Sequence, residues 1–183
     1  MAPFRAMNSW DDLPPTPIAG ARLGSTAPTL ATFITDIEQF TFDAANDYII
    51  GATELTHTYQ EGTDVEAHVH WCQNGANGTG ASRYVRFQLK YSLLIPGAVA
   101  GAQQTINTGD LDIPNGSADR TYYASSKFTT AISGAGVPIG AYITWRFERI
   151  AAVGTAPAND PFVIAVGFHV RQDSTGSIQE YVK

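Results

Sequence analysis

His68 and His70 are the side chains of this sequence best suited to chemistry. They stand in the run Gly62-Thr-Asp-Val-Glu-Ala-His68-Val-His70-Trp71-Cys72. Two imidazoles separated by one residue fall on the same face of an extended strand, roughly 7 Å apart along the chain. Imidazole nitrogen is a ligand for Zn, Fe, Ni and Cu. By the same parity Asp64, Glu66 and Cys72 share that face. The chain has 4 histidines, His57, His68, His70 and His169, so the pair concentrates a scarce residue. Three arrangements suit it. One chain could hold a metal with His169 joining the pair. Three copies around a threefold axis could supply six imidazoles to one transition-metal ion, which would act as a staple. Or the pair binds no ion and hydrogen-bonds to neighbours on the polar face of its strand. Cys72 beside His70 could be a thiol nucleophile, but a lone cysteine at a strand end more often simply packs.

The elements that must position these residues read as β-strands. Asp64–Trp71 alternates strictly, with Val65, Ala67, Val69 and Trp71 opposite the polar set. Tyr84–Leu93 does the same: Val85, Phe87, Leu89, Tyr91 and Leu93 share one face. Ile143, Trp145 and Phe147 oppose Thr144, Arg146 and Glu148. Phe162, Ile164, Val166, Phe168 and Val170 oppose Val163, Ala165, Gly167, His169 and Arg171. Period-2 alternation with one apolar face marks half-buried antiparallel strands. Further strands are expected at Thr29–Ile34, around Phe40–Phe42, over Tyr48–Tyr59 with a bulge at Gly51, and at Ser126–Ile132. Polar, glycine-rich loops separate them. Two of these hold the sequons Asn77-Gly-Thr and Asn115-Gly-Ser, which read as turns. Each long strand has a single apolar face, so two sheets must close on each other. The expected fold is all-β, a jelly-roll-like antiparallel β-sandwich, with an immunoglobulin-like sandwich as the alternative.

Composition agrees. The 183 residues (19.6 kDa) suit one domain and are enough to bury a core. Hydrophobic residues make up 44% and charged residues 15%, well below the roughly 25% of an average domain. With 17 Gly and 10 Pro, the chain suits strands joined by tight turns and not long helices. Eleven Lys and Arg against 17 Asp and Glu give a net charge of −6 with no basic block, so nucleic acid is not an expected partner. No run of about 18 apolar residues predicts a membrane helix, and the amino terminus lacks the apolar core of a secretory signal. With one cysteine, no intrachain disulfide forms and a four-cysteine zinc site is excluded. No Gly-x-Ser-x-Gly nucleophile elbow occurs.

Residues 1–28 differ from the rest. Five prolines and two glycines break any periodicity. This stretch is expected to be an extended N-terminal arm, followed by a sandwich domain over 29–183. Trp10, Leu13, Pro14 and Pro15 are its candidate contact residues, against its own domain, a neighbouring subunit or a larger surface.

Two resemblances bear on function. Gly62, five residues, then His68-x-His70 resembles the opening of the cupin signature, whose members bind metal through two His, a following Glu and a later His. Here Trp71, Cys72, Gln73, Asn74 and Gly75 follow, with no Glu, and only His169 could stand for the later His. The resemblance implies a metal-dependent enzyme using His68 and His70.

The segment Glu54–Trp71, with His57 and Tyr59 ahead of a Gly62-Thr63-Asp64 turn and His68-Val-His70-Trp71 closing the strand, resembles a stretch of tailed-bacteriophage and prophage virion proteins. Trp10–Pro15 also looks like that group. This resemblance implies a non-enzymatic virion structural protein of jelly-roll type. The expected role is a trimeric capsid decoration (cement) or head-fibre protein that binds the major capsid protein or its neighbours, with a tail or receptor-binding role as the alternative. It supplies no catalytic residues and implies no resident cofactor beyond the axial ion.

Overall fold

A computed structural model describes residues 9–17, 22–23, 26–44 and 47–173. Among them are twelve strands and no helix: β1 (Ser9–Pro17), β2 (Arg22–Leu23), β3 (Thr29–Ile34), β4 (Ile37–Thr41), β5 (Tyr48–Glu54), β6 (Glu66–Cys72), β7 (Arg83–Leu94), β8 (Gln104–Asn107), β9 (Leu111–Ile113), β10 (Tyr122–Lys127), β11 (Tyr142–Ile150) and β12 (Phe162–Gln172). The first sheet runs β10-β6-β12-β4-β3, with β1 also on β12. The second runs β2-β5-β11-β7-β8, with β9 also on β7. All pairings are antiparallel.

Setting aside the accessory strands β1, β2, β3 and β9, eight strands carry the plan. Numbered in chain order, they lie 1-8-3-6 in one sheet and 2-7-4-5 in the other. That is the order of a two-sheet jelly roll, as expected.

Aromatic contacts close the sandwich. Trp71 of the first sheet meets Phe87 of the second edge-on, with ring centroids 6.0 Å apart. Phe87 stacks on Phe147 at 5.3 Å, and Phe147 meets Phe42 at 5.5 Å. Val65, Ala67, Val69 and Trp71 of the β6 segment and Val85, Phe87 and Leu89 of β7 are all buried, so the predicted apolar faces are the core faces. Trp71 satisfies its indole by donating from Nε1 to Ser126 Oγ at 3.0 Å.

Some local expectations are corrected. Gly51 marks no bulge: it pairs in register with Trp145. The indole lies so close that a Cβ at position 51 would come within 2.4 Å of it, so glycine makes room for the ring. The strand expected over Tyr48–Tyr59 stops at Glu54, and the strand expected over Ser126–Ile132 lies earlier, at Tyr122–Lys127. In β12 the alternation breaks at a register shift between Val163 and Ala165. Val163 therefore joins the core with Val166, Phe168 and Val170, while Phe162 packs elsewhere, against Phe33 at 5.2 Å. An inserted residue reverses strand parity, and composition does not reveal it.

The described arm residues lie on their own domain. β1 pairs with β12 from Ser9↔Gln172 to Pro17↔Ala165. Leu13 is 1% exposed and belongs to the core. Trp10 stays half-exposed, with the Arg171 guanidinium 5.2 Å from its ring centroid. The side chains of Pro14 and Pro15 lie outside the described residues. Leu13→Ala should therefore destabilise the domain by about 2–5 kcal/mol, the usual cost of emptying a buried leucine site. Urea denaturation checks this, and an unchanged midpoint would show that β1 is not part of the fold.

Candidate functional site

The first sheet turns its outer face, away from the core, toward a line of polar rings. Strand pairing sets the line. Asp12 of β1 sits opposite His169 of β12, and His68 of β6 sits opposite Gly167 of β12. His70 sits opposite Ala165, two pairs farther along β6. Tyr122 of β10 completes the row beside Cys72.

The contacts are continuous. Asp12 Oδ1 is 2.5 Å from His169 Nε2. The His169 ring stacks on His68 with centroids 4.1 Å apart and planes 26° from parallel. His68 Nε2 and His70 Nε2 share a hydrogen bond at 3.0 Å. His70 Nδ1 and the Tyr122 hydroxyl share another at 2.6 Å. Ligand atoms of Asp12, His68 and His169 all lie within 4.8 Å of one another.

Gly167 makes the close approach possible. A Cβ there would stand 2.5 Å from His68 Nε2, so the imidazole lies across the bare backbone of the neighbouring strand. Covered in this way, His68 is only 2% exposed although it faces away from the core. Burial is the main force on its titration. Together with the neighbouring His169 and His70 rings, it lowers the pKa to about 4, against the opposing pull of Asp12 and the Glu66 backbone carbonyl. His70 is also pushed down, chiefly by burial. Both rings are thus neutral near pH 7, the form in which imidazole binds a metal. The His68 Nδ1 atom is buried without a hydrogen bond of normal geometry; the Glu66 carbonyl acts on the ring only as a nearby dipole.

The structure brings His68 and His70 together and adds His169, Asp12 and Tyr122. Glu66 and Cys72 share this face as expected, Glu66 opposite His169 and Cys72 opposite Tyr122, but neither joins the cluster. Asp64 accepts a hydrogen bond from Gly134 N at 3.2 Å. Glu66 pairs with Lys127 of β10. Cys72 is buried, and burial raises its thiol pKa, opposite to what a nucleophile needs. His57 lies in the turn after β5. Asp12 escaped sequence reasoning because it belongs to the arm and reaches the histidines only through pairing between the two ends of the chain.

The one-chain arrangement weighed from sequence finds His169 beside His68, on the outer face of the sheet and not on the Val69 and Trp71 side. A shared site on a threefold axis would need both rings to project beyond the subunit, and His68 lies beneath His169. The sequons act as turn anchors. Asn77 is buried and donates from Nδ2 to the Ile113 carbonyl at 2.9 Å, and Asn115 Oδ1 accepts from Gly80 N at 2.8 Å.

No protein-family model and no curated protein sequence matches the chain. Among solved structures it is similar to a chain of the infectious bursal disease virus structure, Gx strain, with 12% identity and a TM-score of 0.29. The likeness covers 84% of this chain and 38% of that one, so this chain spans little more than a third of the viral chain. At that score the likeness does not bear on function.

Gly167→Ala should push His68 off its seat and destabilise the domain by about 1–3 kcal/mol, the cost of overpacking. Imidazole resonances of His68 and His70 should shift together in NMR spectra. Unchanged stability and unchanged resonances would contradict the packing described.

Proposed function

We propose that this chain is a structural subunit of a tailed-bacteriophage virion, a trimeric capsid decoration protein that acts by binding and not by catalysis. The observation that carries the reading is the β3–β4 hairpin at the edge of the jelly roll. Leu30, Ile34 and Ile37 are 53%, 52% and 58% exposed on it. A lone apolar side chain on a surface needs no explanation, but three on one edge hairpin suggest a contact surface.

The hairpin is also held ready for contact. The Arg120 guanidinium lies 4.6 Å from the Phe162 ring centroid. It donates from Nε to the Phe33 carbonyl at 2.7 Å and from Nη2 to the Thr32 carbonyl at 3.3 Å. Arg120 thereby ties the β3 backbone at Thr32 and Phe33 to the body of the sheet. The apolar side-chain surface remains available. Its occupant in this reading is a neighbouring copy, reached by a head-to-tail contact that closes as a ring of three. Covering the three side chains contributes on the order of 1 kcal/mol each. A trimer then presents three linked contacts to the shell, and linkage raises avidity well beyond a single contact.

Other features support the role. The jelly-roll plan, the low charge content and the resemblance of Glu54–Trp71 to phage virion proteins all fit a subunit of a shell. The partner in this reading is the major capsid protein, and the location is the virion.

Native mass spectrometry of the full chain should show a trimer, and the triple variant Leu30→Ser, Ile34→Ser, Ile37→Ser should be a folded monomer. The wild-type protein should co-sediment saturably with shells assembled from the major capsid protein of its own genome, and the variant at least tenfold more weakly. A wild-type monomer, or shells that sediment without it, would overturn the reading.

A further inference from the structure

We infer that Asp12, His68, His70 and His169 form a binding site for a single first-row divalent ion of the zinc type within one chain, and that the ion clips β1 onto the sheet. The inference is independent of the proposed virion role. It rests on donors from three strands, Asp12, His68 and His169, whose ligand atoms lie within 4.8 Å of one another on the outer face, with His70 Nε2 3.0 Å from His68 Nε2.

Distances favour an ion at this point. Nitrogens bound to one ion at about 2.0–2.1 Å lie roughly 2.8–3.4 Å apart for coordination angles between square and tetrahedral. The His68 and His70 Nε2 atoms are 3.0 Å apart. Asp12 Oδ1 and His169 Nε2 are in contact at 2.5 Å, and their ligand atoms lie within 4.8 Å of one on His68. Small side-chain rotations of the exposed Asp12 would bring the carboxylate onto the same ion. Three imidazoles and one carboxylate form a donor set that suits zinc and its neighbours better than calcium or magnesium.

The surroundings fit as well. Tyr122 engages His70 Nδ1, which leaves Nε2, turned toward His68 Nε2, as the ligand atom; outer hydrogen bonds orient metal-binding histidines in this way. Gly167 keeps the backbone clear beneath His68. An open hollow of about 330 Å³, lined by Trp10, Asp11, Asp12, Glu66, Lys127 and His169, gives an ion a path from solvent. The donor set joins β1 to β6 and β12. Binding would therefore tie the first described strand to the centre of its sheet, because a ligand that binds only the folded state stabilises it.

The experiment uses the full chain, stripped with chelator and dialysed, with Zn2+ as the probe. Native mass spectrometry should show one Zn2+ per chain. Co2+ in its place should give visible d–d absorption. Zn2+ should slow amide exchange across residues 9–17. Asp12→Asn and His169→Gln alter partly exposed side chains and should stay folded by circular dichroism. Each should weaken Zn2+ binding at least tenfold and abolish the added protection of 9–17. Absence of Zn2+ binding would overturn the inference. So would binding that is indifferent to both variants, which would mean a site made by His68 and His70 alone. One ion per three chains would overturn it in favour of an axial site.

Discussion

β12 is the strand on which the rest depends. It is paired along both edges, with β6 on one side and with β4 and then β1 on the other. A central strand must satisfy its backbone on both sides, so its partners are fixed in register with little freedom. That double pairing brings the first described residues and the last described strand together. It also sets His169 beside Asp12 and the bare backbone of Gly167 under His68. The register shift near Ile164 lets one strand serve two environments. It sends Val163 into the core while Phe162 faces Arg120 and Phe33 at the base of the hairpin.

The same strand therefore supports both proposed surfaces. At one end Phe162 and Arg120 brace the β3–β4 hairpin. In the middle and at the other end Gly167 and His169 shape the ring cluster. A rigid sandwich that carries exposed contacts at its edge fits a subunit made to assemble. Closure of the sheets by the Trp71, Phe87, Phe147 and Phe42 contacts supplies that rigidity without disulfides.

Much of this could be read from sequence. Tyr84–Leu93 and Ile143–Phe147 alternate cleanly because each belongs to a strand with one wet face, and alternation then reports burial directly. From such strands the two-sheet architecture followed. Other features depended on partners distant in the chain. His68 has the sequence setting of an exposed strand histidine, yet Gly167 and His169 bury it. Asp12 looks like arm solvation until β1 is seen to pair with β12. Gly51 suggests a bulge until Trp145 is placed over it. The parity of β12 fails at one inserted residue that no local pattern marks. Arg120 gives no local signal of its role, because the carbonyls it holds belong to a strand far earlier in the chain.

The central claim is that the β3–β4 hairpin is covered by a neighbouring copy in the working assembly. Hydrogen–deuterium exchange of the full chain at dilute and at assembling concentrations tests it most directly. The account predicts that exchange across residues 29–41 slows as the protein assembles, while the aromatic core over 85–89 and 143–147 is slow throughout. Assembly with no change in the hairpin, and new protection elsewhere on the surface, would contradict it.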